Sequence, residues 1–284
     1  MWNCHTRIRW FCCLATYFLC TTLLADDPEW AFLQNDDIKI GLKLESGGAI
    51  GWVSRTKTNI NFVNHHDRGR LIQQSYYGRK DGSNWAGKPW RWNPVQGGDY
   101  QGRPAKILDL KRSPEELYVK TQPRNWAGGN MIPEVEFEQW ITLDGPVAHV
   151  RFKMTYLGKE THPVHNQEIP AVFVNRMFHT LVTEENGELV RRQPGFPNER
   201  YPIAKHWAAY VNDDDIGLGV LVPEADHITC YRFGNLGQRG ACSYFAPITD
   251  FAIQPGFAFE YSCYLMIGKS PDIRERFENL LEQR

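Results

Sequence analysis

EVEFEQWITLDGPVAHVRFKMTY, residues 134–156, decides the architecture. Val135, Phe137, Ile141 and Leu143 alternate with Glu134, Glu136, Glu138 and Trp140. After Asp144-Gly145-Pro146 the alternation resumes, with Ala148, Val150, Phe152, Met154 and Tyr156 set against His149, Arg151, Lys153 and Thr155. A period of two with one apolar face is the pattern of half-buried antiparallel strands, and the Gly-Pro between them is a turn. Folding about that turn is expected to bring Glu138 near Arg151 and Glu136 near Lys153. Such cross-strand pairs are worth about 0.2–1 kcal/mol each, so the glutamates suit an outward-facing ladder better than a set of catalytic acids.

The same period extends along the chain. Ile38 to Leu44 alternates strictly, and Gly47-Gly48 turns it into Ala49 to Ser54, with Ile60 to Val63 next. Further strand-like runs are Leu71 to Tyr77, Ala105 to Leu110, Leu117 to Thr121, Ala171 to Leu181, Trp207 to Val211, Gly217 to Val222, Ile228 to Phe233, Cys242 to Ala246 and Phe257 to Ile267. Only the end has helical spacing: Ser270 stands as N-cap, Pro271 at the first helical position, and Ile273, Phe277, Leu280 and Leu281 share a face. The expectation is an all-β chain of packed antiparallel sheets with one C-terminal helix on the outside, residues 26–284 forming one domain.

Residues 1–25 have the pattern of an export signal: Arg7 and Arg9, an uncharged apolar run from Trp10 to Leu24, then Ala25 before Asp26-Asp27. The run is short for a membrane span, so a secreted or periplasmic protein with no stable membrane span is expected. With 32 basic and 33 acidic residues, dispersed along the chain, nothing favours a nucleic-acid partner. Four of the seven cysteines lie in the leader, leaving Cys230, Cys242 and Cys263. Cys230 and Cys242 flank Gly234-Asn235-Leu236-Gly237 and stand either as partners across a hairpin or as small buried hydrophobes.

The segment Asn64 to Arg103, NHHDRGRLIQQSYYGRKDGSNWAGKPWRWNPVQGGDYQGR, is where a site is expected. Its long loop mixes Gly, Asn and Lys with Trp85, Trp90, Trp92 and Tyr100. Indole rings beside amides, carboxylates and guanidinium groups suit carbohydrate, whose C–H faces stack on aromatics while its hydroxyls take hydrogen bonds. A loop folded back on its own Trp residues is the alternative. Trp90 and Trp92, two apart, are expected to face the same way. Asp67, Arg70, Gln74, Tyr76, Asn93, Gln96 and Asp99 complete the binding set, with Trp207 shaping the pocket.

The opening order of an alternating strand, Gly47-Gly48-Ala49-Ile50, Asn59 to Asn64, the Arg68-Gly69-Arg70 turn and an aromatic strand resembles the galactose-mutarotase-like supersandwich. That fold occurs in aldose 1-epimerases, related sugar-binding proteins and the C-terminal parts of several polysaccharide lyases. The chain also resembles secreted bacterial proteins of this length carrying GRLIQQSYY, EQW and HWAAYV. The resemblance implies the fold and a sugar ligand. It departs from the epimerase pattern at three places: Asn64 is followed by His65, His179 lacks an aromatic-Asn continuation, and Glu260 alternates inside a strand. Epimerase activity is therefore not carried over.

For chemistry, Glu168 and His206 are the expected proton-transfer pair, each at the mouth of an apolar strand where partial burial shifts a pKa. Tyr77 and His179 are further candidates. His65-His66-Asp67, His162-x-x-His165 and Asn212 to Asp215 lack converging ligand sets, so no metal is expected. No phosphate-cradling glycine loop or G-x-S-x-G elbow is present, and no cofactor is expected. The reading is an exported carbohydrate-active enzyme, a glycoside hydrolase or polysaccharide lyase. A noncatalytic glycan-binding protein and an epimerase-like protein stand as alternatives.

Overall fold

The computed structural model describes residues 29–58 and 60–284, and the segment read as an export signal lies outside them. Two large sheets face each other. The first contains β1 (Trp30–Gln34), β2 (Ile38–Lys43), β3 (Ala49–Arg55), β4 (Ile72–Ser75), β7 (Pro94–Val95), β10 (Arg124–Asn125), β13 (His162–Asn175), β16 (Glu199–Pro202), β19 (His227–Phe233) and β20 (Cys242–Ile253). The second contains β8 (Lys106–Arg112), β9 (Glu116–Gln122), β11 (Val135–Asp144), β12 (Val147–Tyr156), β14 (Thr180–Glu185), β15 (Glu188–Arg192), β17 (Trp207–Val211), β18 (Ile216–Leu221) and β21 (Ala258–Lys269). A two-stranded hairpin, β5 (Asn84–Trp85) and β6 (Lys88–Pro89), stands apart. Every strand pairing is antiparallel.

The inner faces meet in one continuous core. Ile72, Val172, Val174 and Phe245 come from the first sheet, and Phe137, Val150, Phe152 and Leu265 from the second. The hairpin of residues 134–156 forms as expected, with a two-residue loop: Asp144 pairs with Val147. That loop is tighter than the one assumed from the sequence, and the pairing moves by two residues. Glu138 lies opposite Lys153, and Glu136 opposite Thr155. Glu136 instead reaches Lys120 at 2.7 Å, and Arg151 lies over the Trp140 ring and bonds Glu260. These are outward-facing pairs, as is Glu260 itself.

Three other expectations need correction. Residues 60–63 make only an isolated bridge, Val63 to Val174. The run from Ala171 to Leu181 breaks after Asn175 and resumes as β14 in the other sheet. The helix α1 (Ser270–Glu282) lies where predicted, with Ile273 and Phe277 buried against β17, β18 and β21. Its cap differs: Ser270 donates its hydroxyl to Asp215 at 2.5 Å rather than turning back on the helix. All three cysteines are free and buried. Cys230 pairs with Phe245 and Cys242 with Phe233, so the hairpin register keeps the two thiols apart. Among the described residues no helix is long and apolar enough to cross a membrane.

Candidate active site

The outer face of the first sheet carries the site. An antiparallel sheet with a packed inner face ordinarily turns polar residues outward. Here the centre of the outer face is aromatic and small: Ala171 and Phe173 on β13, Tyr244, Ala246 and Ile248 on β20, Tyr231 on β19. Ala171, Tyr244, Ala246 and Ile248 are nevertheless buried, so this face is covered rather than bare. Two loops wall it. The β5–β6 hairpin turns through Ala86 and Gly87, both with positive φ, and presents Trp85 and Trp90 at 4.9 Å between ring centroids. Trp126 joins them, 5.9 Å from Trp85. Gly69, in the Arg-Gly-Arg turn, lies beneath Trp126; a Cβ there would sit 2.5 Å from the indole. Asp81 accepts a 2.6 Å hydrogen bond from the Asn125 amide, tying the base of the hairpin to the Trp126 segment.

Glu168 stands on the floor of the resulting cavity, about 220 Å³ in volume. Its position follows from Pro170, which has no N–H to give the ladder. The β13 register slips against both neighbours just after Glu168, between Glu168 and Ala171 beside β4 and between Glu168 and Val172 beside β20. The slip leaves Glu168 on the same outer face as Ala171 and Phe173. The Tyr77 and Tyr244 hydroxyls both donate to Glu168 Oε1, at 2.7 and 2.6 Å. Both donors converge on one oxygen, and Oε2 is left to the cavity. Burial pushes the Glu168 carboxyl above its ordinary value, against the two phenolic hydrogen bonds that favour the carboxylate. Burial, and then the charge of Glu168, push both phenols well above the usual tyrosine range, so they stay protonated as donors.

A second cavity of about 390 Å³ continues the first, sharing Tyr77, Trp90, Glu168 and Asn198 with it and adding Arg91, His165 and Arg200. The Arg91 guanidinium donates to His165 Nδ1 at 3.3 Å. Arginine has only donors, so this ring nitrogen accepts and the proton lies on Nε2. Burial, then the Arg91 charge, hold the His165 pKa below its ordinary value. Trp90 Nε1 donates to the Asn93 side-chain Oδ1, and the Asn93 side-chain Nδ2 donates to the Ser75 hydroxyl and to the Tyr76 carbonyl, fixing the hairpin to the end of β4.

No protein-family model matches the chain, and no curated protein matches it in sequence. Solved structures do match it in shape. A galactose mutarotase-like protein from Lactobacillus casei ATCC 334 aligns at a TM-score of 0.58 and 10% identity, covering 84% of this chain and 100% of that one. A galactose mutarotase related enzyme from Lactobacillus acidophilus gives 0.57 and 12%, over 85% and 98%. The galactose 1-epimerase of Lactobacillus acidophilus NCFM gives 0.51 and 10%, over 84% and 93%. This chain has the galactose-mutarotase-like fold. At such identities the likeness concerns the fold, and the chemistry must come from this chain's own residues.

Within this galactose-mutarotase-like sandwich, Glu168, Trp90 and Asn93 meet in one cleft, as does Tyr77. The other expected site residues lie elsewhere. His206 is on the second sheet's side, half-buried, with Nδ1 2.7 Å from the Ala225 carbonyl oxygen and its backbone N–H bonded to Ile203. Trp207 packs against Phe277 under the terminal helix. Gln74 and Tyr76 point inward; the Tyr76 hydroxyl donates to Gln74 at 3.0 Å and its ring meets Phe137. Gln96 is buried with them, accepting from the Gln74 backbone. Trp92 stacks on His162 at 4.0 Å, on the core side. Asp99 accepts from the Gln101 and Arg103 backbones and pairs with the Arg103 side chain. Asp67 caps the turn at Gly69 and Arg70, while Arg70 bonds the Gly240 carbonyl and lies over Phe233, beside the cleft rather than in it. His179 faces Asp213 at 3.2 Å. The residues that sequence reasoning left out are Tyr244, Tyr231, Phe173 and Trp126.

The two phenols give a pH test. Tyr244→Phe removes one hydrogen bond that favours the Glu168 carboxylate, so the carboxyl pKa is expected to rise further. The acid limb of the pH–kcat/KM profile then moves to higher pH. An unmoved limb would mean that Glu168 does not govern it.

Proposed function

We propose that this protein is an exported carbohydrate-active enzyme that works on a glycan by acid–base chemistry centred on Glu168. The observation that carries the reading is the half-buried carboxylate under an aromatic wall, one oxygen held by two phenols and the other facing the cavity. Aromatic walls bind sugar faces. A directed carboxyl with a raised pKa serves proton transfer near neutral pH. A carboxylate can also serve a protein that only binds glycan, so it is the raised pKa that favours an enzyme. The solved neighbours named for galactose mutarotation or epimerisation fit a sugar ligand.

The number of carboxylates bears on the reaction. Ordinary glycoside hydrolysis uses two carboxyl groups flanking the bond, about 5–10 Å apart. Among the described residues Glu168 is the only carboxylate lining either of the two joined cavities. That supports an elimination in which Glu168 takes a proton from a sugar carbon as the β C–O bond breaks, the C–H electron pair becoming the double bond and the leaving oxygen taking a proton from water, ahead of two-carboxylate hydrolysis. The test uses protein recovered from the periplasm or medium, its N-terminus read by mass spectrometry. It is incubated with neutral and uronic polysaccharides, following reducing ends and the absorbance of an unsaturated product. The expected result is a chain lacking residues 1–25 and an unsaturated product. Reducing ends without that absorbance would point to hydrolysis, and an intact N-terminus in a cytosolic fraction would overturn export.

A further inference from the structure

Arg91 and Arg200 line the second cavity beside Glu168, and among the described residues neither forms an ion pair. The acids around them are already engaged. A neighbouring cavity, sharing Asn166, Arg200 and Ile248, holds Glu224, Asp226 and Asp250. Asp250 accepts from the Asn166 amide, Asp226 bonds His227 at 2.7 Å, and Glu224 lies 4.0 Å from Arg284. Arg91 is half-buried, and its guanidinium is oriented by His165, whose Nδ1 accepts from it. Arg200 stands on the edge strand β16, opposite Thr229. Two guanidinium groups thus face a cavity contiguous with the aromatic one, and neither is in an ion pair with the carboxylates nearby. Guanidinium groups left unpaired are the usual donors to carboxylates and sulfates, through charge-assisted, often bidentate hydrogen bonds.

We propose that Arg91 and Arg200 form an anion subsite beside Glu168, and that the glycan is acidic, carrying a carboxylate or a sulfate ester. The proposal rests on reading the cleft as a glycan site and adds the substrate's charge. A sugar ring against Trp85, Trp90 and Trp126 places its neighbour or its acidic substituent on the arginine side, with Glu168 between. His165 is a positioning residue: it holds Arg91 without competing for the ligand.

Calorimetry on the full chain tests this with matched probes: an oligogalacturonate against its carboxyl-reduced form, and a sulfated galactan fragment against its desulfated form. The charged member of one pair is expected to bind at least about tenfold more tightly than its neutral counterpart, the size of a charge-assisted hydrogen bond. The pair that shows the preference identifies carboxylate or sulfate. The Arg91→Gln/Arg200→Gln double variant is expected to lose that preference while still binding the neutral member. If the double variant fails to fold, Arg200→Gln alone, at an exposed position, gives the same reading. Equal binding of charged and neutral members, or a preference that survives in the double variant, overturns the subsite and leaves the glycan cleft standing. Binding of none of the four probes overturns both.

Discussion

Glu168→Gln is expected to lower turnover by about 10²–10⁴-fold, the usual worth of a positioned general acid or base, while glycan affinity stays nearly unchanged. The amide keeps the shape of the side chain. Its oxygen can still accept from Tyr77 and Tyr244, which now meet at Oε1 at 2.7 and 2.6 Å. What disappears is the proton-transfer group facing the cavity. Steady-state kinetics beside calorimetry separate the two effects, because a loss confined to kcat is the mark of a group that acts in the transition state. The same variant has a second readout that follows from burial. The Glu168 carboxyl is raised in the folded chain, so the fold prefers the protonated form. Its contribution to stability is fully present below the unfolded pKa and is lost as pH rises through the folded one. Glutamine never ionises. The variant is therefore expected to melt at a higher temperature than wild type near neutral pH, with the difference closing on acidification. Wild-type turnover in Glu168→Gln would reject the catalytic assignment, and an unchanged melting difference across pH would reject the burial argument.

The fold was legible because its signal is redundant. Period-two alternation recurs in strand after strand, and one misplaced boundary, such as the break after Asn175, does not alter the two-sheet outcome. The site was legible in part, and parity explains which part. On β4 the sequence offers two sets of polar and aromatic residues, Gln74 with Tyr76 and Gln73 with Ser75 and Tyr77. Period-two reasoning says that they face opposite ways, but it does not say which set faces the core. Tyr76 belongs inside, against Phe137, with Gln74 satisfying its hydroxyl, whereas Gln73, Ser75 and Tyr77 line the cleft. Glu168 was singled out because it precedes the apolar run from Ile169 to Val174, a local signal. Tyr244 and Trp126 reach the same cavity from β20 and from the loop after β10. That convergence depends on strand order, in which β13 lies between β4 and β20, and no local pattern encodes it. His206 failed for the same reason: a strand mouth was recognised, but it belonged to the other sheet.

Trp92→Ala is expected to destabilise the fold by about 3–5 kcal/mol, as truncating a large buried aromatic usually does. Trp90→Ala is expected to leave the fold intact and weaken glycan binding by about 1–3 kcal/mol, the range of an aromatic anchor. The two residues look equivalent in Trp90-Arg91-Trp92, and extended backbone would put both rings on one side. The chain is not uniformly extended there. Trp90 still belongs to the β5–β6 hairpin, its N–H bonded to the Ser83 carbonyl, whereas the Trp92 N–H pairs with Arg79 and its carbonyl with Gly78. Passing from one ladder to the other reverses the outcome. Trp90 meets Trp85 and Tyr77 in the cleft, while Trp92, 7% exposed, stacks on His162 and meets Tyr156 edge-on. Its Nε1 is buried without a partner, so the loss on truncation is offset somewhat by removing that orphan donor. Urea unfolding beside glycan titration decides the matter. Two equal losses of affinity at undiminished stability would restore the paired platform. A Trp90→Ala protein that binds as wild type does would remove the aromatic wall from the site.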